Sequence, residues 1–106
     1  MLCALTVRTL EPGTFDQFRE AFMRGMNPDD PPPGWVRFNM VRNTDNPDEV
    51  VCFGIFDGTV DDLRQAQTDP RREDQLKEIA GYVQSTGADA LYEVVEDLSI
   101  AERPPR

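Results

Sequence analysis

The sequence predicts an α+β domain of the ferredoxin-like, split βαβ kind: elements in the order βαββαβ, with one four-stranded antiparallel sheet and its helices on one face. Three observations carry that expectation. Gly34 to Gly58, GWVRFNMVRNTDNPDEVVCFGIFDG, reads as two strands around a polar turn. Helical periodicity lies on either side of that hairpin, after Thr14 and after Thr59. Strand-like apolar stretches open the chain at Met1 to Thr9 and close it at Ala88 to Leu98.

In the hairpin, Trp35 to Arg42 runs out and Glu49 to Asp57 returns. Asn43, Asp45, Asn46, Pro47 and Asp48 form the turn, because Asn and Asp side chains bond their own backbone and Pro presets φ. Val50 to Phe56 is apolar on both faces, whereas a strand with one wet face should alternate. Both sides of the sheet therefore need a cover.

The first strand places Cys3, Leu5 and Val7 on one face and Leu2, Ala4, Thr6 and Arg8 on the other, and Pro12-Gly13 stops it. Thr14 with Gln17 suggests a capping box, and Phe15, Phe18, Ala21, Phe22 and Met26 repeat at helical spacing as a face to be buried on the sheet. Pro28, Pro31, Pro32 and Pro33 make 27–34 an exposed connection; Pro28 and Pro31 have the spacing of a PxxP ligand, but a short connector is the commoner use. Thr59 caps a short helix carrying Leu63 and Ala66, and Asp69-Pro70 restarts it. Leu76, Ile79, Ala80 and Val83 form the buried stripe expected of the second piece, which Ser85-Thr86-Gly87 should end. The expected domain is 1–98, and the polar tail 99–106 is expected to fray.

Composition narrows the function. The 106 residues carry a net charge of −9, from 20 acidic and 11 basic side chains, which opposes binding to a nucleic-acid phosphate backbone. With no apolar run near the ~20 residues of a membrane span and no leader pattern, a cytoplasmic location away from membranes is expected. Cys3 and Cys52 fall in strands and read as reduced core thiols. The absence of His removes the commonest metal ligand, general base and haem ligand.

Two helical pieces cover one sheet face only. On the other, Leu2, Ala4, Val41, Val50, Cys52 and Phe56 are expected to form a patch too apolar to stay wet. A second copy is the simplest cover: an isologous homodimer enclosing a cavity between sheet and helices, or between sheets.

With a short first strand, Pro-Gly, an amphipathic helix, GWVRFNMVRNTDNPDEVVCFGIFDG, a helix in two pieces and LYEVVEDL, residues 1–98 resemble the dimeric α+β barrel superfamily, and within it the antibiotic biosynthesis monooxygenase domain. The strand–DxPDE–strand turn is the most specific piece. The resemblance implies a homodimer with a ligand cleft in each protomer, in some members oxidising aromatic polyketides without metal or flavin, and in others degrading haem. Active members use an Asn on the first strand, a Trp ending the third, and a His for haem. Here the first strand offers Thr6 and Arg8, the third ends in Phe56-Asp57, and there is no His, so none of the three carries over and haem turnover is not expected.

The residues suggest other candidates. Trp35, Arg37 and Asn39 should share the cleft face of the second strand, with Val36, Phe38 and Met40 facing the helices. Arg37 to hold an oxyanion and Asn39 to orient a neighbouring oxygen are the candidate catalytic pair, with Trp35 as a stacking wall. Thr6, Arg8, Cys52, Phe56 and Glu93 complete the candidate ligand contacts. In the competing structural reading, Arg37 merely pairs with Glu93 and Asn39 meets solvent. Tyr82 and Tyr92 are phenolic donors or core residues, and only one register of the last strand, Tyr92 or its neighbours Leu91 and Glu93, can line a cavity. Gly54 leaves room for a ring or a partner backbone. A nucleophilic Cys52 would depend on Arg8 or Arg37 to lower its pKa. An isomerase or lyase reading would need Glu93 or Asp57 buried as the proton-transfer group. The sequence thus points to a small homodimer with a cleft for an apolar or aromatic ligand, without a cofactor, resembling the cofactor-independent monooxygenases. The alternative is a non-catalytic metabolite-binding or dimerisation domain of the same fold.

Overall fold

The computed structural model describes residues 1–27 and 29–98. Its elements are β1 (Leu2–Leu10), α1 (Phe15–Met26), β2 (Trp35–Arg42), β3 (Glu49–Phe56), α2 (Val60–Ala66), α3 (Pro70–Ile79) and β4 (Val83–Glu93), with a 3-10 turn at Ala80–Tyr82. All pairings are antiparallel and the strand order is β2-β3-β1-β4, which is the ferredoxin-like arrangement. The expected tail 99–106 and Pro28 of the PxxP spacing lie outside the described residues.

The turn chemistry behaves as its residues dictate. Asn43 Oδ1 accepts from the backbone N–H groups of Asp45 (2.8 Å) and Asn46 (3.2 Å), closing the hairpin. Thr59 and Asp62 form a reciprocal capping box at α2, and Asp69 accepts from the Arg71 N–H with Pro70 in the first turn of α3. Thr14 departs from expectation. Its hydroxyl donates to the Glu11 carbonyl at 2.7 Å instead of capping α1, because the turn from Glu11 to Thr14 through Pro12-Gly13 brings that acceptor beside it.

The core lies between the sheet and α1 with α3. Leu10, Phe18, Ala21, Val50 and Ile79 are almost fully buried there. Burying a side chain such as Phe18 contributes about 1.5–3 kcal/mol by area, so this stripe is what anchors α1 to the sheet. Helices α1 and α3 meet where Gly25 leaves no room for a side chain: a Cβ there would lie 2.5 Å from Gln75 Cγ. Gln75, itself buried, donates from Nε2 to the Phe22 carbonyl at 2.8 Å and ties the two helices together.

Two expectations are corrected. The second helix ends at Ile79, not near Ser85, and β4 starts at Val83. Its inward stripe is Arg72, Gln75 and Ile79, while Leu76 and Ala80 are exposed. The sheet faces are also reversed. Val50, Cys52 and Phe56 share a face as expected, but it is the face under the helices, together with Ala4, Arg8 and Leu10. The other face carries Cys3, Leu5, Val7, Val51, Phe53 and Ile55, all half-buried, with Val41 at its margin. The inner face, under the helices, includes a charged residue of the first strand, Arg8. In the fold its guanidinium carbon sits 5.9 Å and 5.8 Å from the ring centroids of Phe18 and Phe22, and the residue is only 7% exposed.

Candidate functional site

On the inner face, small residues leave a gap between sheet and helices. Ala4 and Thr6 of β1 and Cys52 and Gly54 of β3 form its floor, and the cavity has a volume of about 110 Å³. Phe22, Met26, Trp35 and Phe38 supply an aromatic and apolar wall. Phe22 and Phe38 are stacked, with centroids 5.1 Å apart and planes at 18°. On the opposite side stand Arg71, Arg72 and Gln75 of α3, and Asp89 and Leu91 of β4. Pro31 and Pro32 close the cavity from the connector, which Arg71 holds by donating to the Asp30 carbonyl at 3.0 Å.

Trp35 reaches this wall through an irregularity in β2. Trp35 pairs with Phe56 and Arg37 with Ile55, so one extra residue, Val36, is bulged out and the indole turns to the inner face. There it meets the Phe56 ring edge-on at 5.2 Å and covers Gly54. Beside the cavity runs a polar groove lined by Arg64, Gln67, Arg72, Asp89, Ala90 and Leu91; Gln67, Arg72 and Asp89 border both spaces.

The electrostatics of this region are opposite to those of the chain. Arg8, Arg64, Arg71 and Arg72 line the two spaces against Asp69 and Asp89, although the net charge of the protein is −9. Arg71 is committed: its Nη2 lies 3.0 Å from Asp69 Oδ2, and that hydrogen bond, with one from the Arg71 backbone, holds the Asp69 carboxyl below its usual range. Among the described residues, Arg8, Arg64 and Arg72 have no carboxylate within 4.0 Å. Burial also acts on the neighbouring thiol. It pushes Cys52 up to about 11, against the opposing pull of Arg8, so the sulfur stays protonated and is not an activated nucleophile.

The structure divides the sequence-predicted residues into two groups. Thr6, Arg8, Trp35 and Cys52 come together around the cavity. Phe56 is 3% exposed and stands behind Trp35, supporting it without lining the space. Arg37 and Asn39 lie on the outer face, opposite Ile55 and Phe53, because the bulge at Val36 breaks the alternation that would have kept them beside Trp35. The Arg37–Glu93 pair of the competing structural reading does not form in the chain: β2 and β4 are opposite edges of the sheet. Glu93 and Asp57 are exposed, and Tyr92 is on the outer face opposite Cys3. Tyr82 packs against the core from the 3-10 turn.

Arg72, Gln75 and Asp89 are cavity residues that the sequence reading missed. Arg72, Gln75 and Ile79 stand at i, i+3 and i+7, a stripe that was legible once polar residues were admitted to it. Asp89 depended on the start of β4, since only the observed register sets it opposite Thr6.

Solved structures share this architecture. SnoaB, a cofactor-independent oxygenase from Streptomyces nogalater, superposes with a TM-score of 0.76 at 18% identity, over 92% of this chain and 95% of its own. A Chloroflexus aurantiacus protein named for the antibiotic biosynthesis monooxygenases gives 0.76 at 13% identity, over 93% and 97%. One from Nitrosomonas europaea, similarly named, gives 0.72 at 15%, over 91% and 100%. The fold is that of antibiotic biosynthesis monooxygenase-like proteins. No protein-family model matches the sequence, and no curated protein does. At these identities the likeness to the monooxygenase-like proteins is one of fold, and the chemistry must be read from the cavity itself.

Proposed function

We propose that the chain is a homodimeric, cofactor-free oxygenase that binds a hydroxylated aromatic compound as its phenolate in the cavity between sheet and helices. The observation that carries this reading is Arg8, a cation 7% exposed, facing a space walled by Trp35, Phe22 and Phe38 and without a carboxylate partner among the described residues. Aromatic walls favour a flat ring, and a fixed guanidinium in a poorly hydrated site favours the ionised form of a phenol over the neutral one. The fold shared with SnoaB, described as a cofactor-independent oxygenase, agrees with this chemistry.

The reaction needs only oxygen. The phenol releases its proton to solvent at the groove, and the electron pair stays on the oxygen facing Arg8. The electron-rich phenolate gives one electron to O2, and the resulting superoxide and ring radical combine at a ring carbon as a peroxide anion, which takes a proton back from solvent to become the hydroperoxide. Breaking the O–O bond with loss of that carbon's hydrogen leaves a second carbonyl and releases water, so one phenol and one O2 yield one quinone and one water. Arg8 acts throughout by stabilising the anion, and Trp35 by fixing the ring plane. The half-buried outer row Leu5, Val7, Val51, Phe53 and Ile55 supports a second copy as its cover.

A non-catalytic binding domain is the second reading, favoured by the fact that the cavity interior holds a protonated thiol and that Asp89 stands at its boundary with the groove. Incubation with 1-naphthol or an anthrone under oxygen separates the two. Equal consumption of substrate and O2 with quinone formation is expected, falling at least a hundredfold in Arg8→Gln. Binding without oxygen uptake supports the second reading, and no binding rejects both.

A further inference from the structure

Four of the eleven basic residues of this acidic chain line the cavity and its groove, and they are not equivalent. Arg8 faces the apolar interior from β1. Arg71 is held by Asp69 and the Asp30 carbonyl. Arg72 and Arg64 remain, one on the boundary between cavity and groove and one in the groove itself. Arg72 is only half-exposed, and burial works against its charge. Asp89 borders the same two spaces but makes no ion pair with it within 4.0 Å.

Keeping an arginine partly desolvated beside an apolar cavity costs stability unless something compensates the charge; the fold gives Arg71 a carboxylate in contact, whereas Arg72 has only the longer-range attraction of Asp89, opposed by the repulsion of Arg8. From this we infer that the natural ligand is an aromatic carboxylic acid: its hydroxylated ring fills the cavity against Trp35, and its carboxylate leaves through the boundary to Arg72, with Arg64 and Gln67 around it in the groove. A carboxylate matches the planar fork of a guanidinium. Asp89 across the groove leaves Arg72 suited to a monoanion and would repel a dianionic phosphate. The cavity volume of about 110 Å³ is small for a large fused ring system, so the remaining part of the ligand must extend into the groove. The inference rests on the proposal that the cavity takes a phenolic ring, and adds where the ligand carries its second charge.

The test is a matched pair of ligands on the wild-type protein: 3-(4-hydroxyphenyl)propanoate and 4-propylphenol, alike in ring and chain length and differing in the terminal carboxylate. Titration followed by calorimetry or NMR is expected to show the acid binding at least tenfold more tightly. That preference should shrink to less than threefold in Arg72→Gln, the acid losing far more affinity than 4-propylphenol does. Arg64→Gln, an exposed position, is expected to reduce the preference partially and gives a second variant if Arg72→Gln melts early. Both ligands binding equally to wild type overturns this inference and leaves the phenolate reading standing. A preference that persists in full in both variants overturns it as well. Neither ligand binding overturns the cavity assignment together with the inference.

Discussion

Gly54 and Trp35 occupy one space between them: a Cβ at position 54 would lie 2.6 Å from Cζ3 of the indole. The glycine is what lets the bulged start of β2 fold its indole down onto β3, and the indole in turn forms the cavity wall. Gly54→Ala is therefore expected to displace the ring and to cost about 1–3 kcal/mol as overpacking. Trp35 is the only tryptophan, so its fluorescence reports the displacement directly. An unchanged emission maximum with unchanged stability would show that the contact is not tight.

Phe18 is fully buried between α1 and the sheet. Truncation to Ala removes a whole ring from a close-packed layer, and a loss of about 3–5 kcal/mol in chemical denaturation is expected. A loss below about 1 kcal/mol would place the helix differently.

Alternation along β3, which was expected to set Val50, Cys52 and Phe56 away from the helices, would set Phe53 under them; it lies instead on the outer face, opposite Leu5 and Asn39. Its value is expected to lie between copies of the chain. Phe53→Asp should convert a dimer into a monomer of about half the mass in sedimentation while the far-UV circular dichroism is retained, since a charge in a buried apolar interface is strongly disfavoured. A wild-type protein that sediments as a monomer contradicts the homodimer.

Cys52 gives a pH signature. Its pKa is raised from 9.0 to about 11 by burial, so the folded state holds the thiol proton more tightly than the unfolded state does. The contribution is fully present below the unfolded value near 9 and is lost as pH rises towards 11, a decline of about 2–3 kcal/mol when complete. Cys52→Ala should remove that part of the alkaline loss. In the native protein near neutral pH, Cys52, 4% exposed and protonated, should resist thiol reagents and react only on unfolding.

Much of the fold was legible because local chemistry and periodicity agree. The run Asn43 to Asp48 could only turn, Phe18, Ala21 and Phe22 could only face a sheet, and Asp69-Pro70 could only begin a helix. The side of the sheet was not legible, since β3 is apolar on both faces and its pattern alone does not say which face the helices cover. The site was legible where it rests on alternation along β1, which brings Thr6 and Arg8 to the cavity. It was lost where alternation fails: Val36 bulges, sending Trp35 inward and leaving Arg37 and Asn39 outside, and β4 begins five residues earlier than expected, since Val83 opens it where Ala88 was expected. Bulges and register are set by pairing with a neighbouring strand, which a single strand's pattern does not contain.

The role of Arg8 can be read without turnover. 4-Nitrophenol absorbs differently as phenol and as phenolate, so a pH titration of the bound probe reports the charge that the cavity prefers. With the wild-type protein, the apparent pKa of the bound probe should fall by at least one unit below that of the free probe, and in Arg8→Gln the fall should vanish or reverse. A bound probe that titrates at or above its free value in the wild type, or a fall that survives the loss of Arg8, would contradict the assignment of this cavity as a phenolate site.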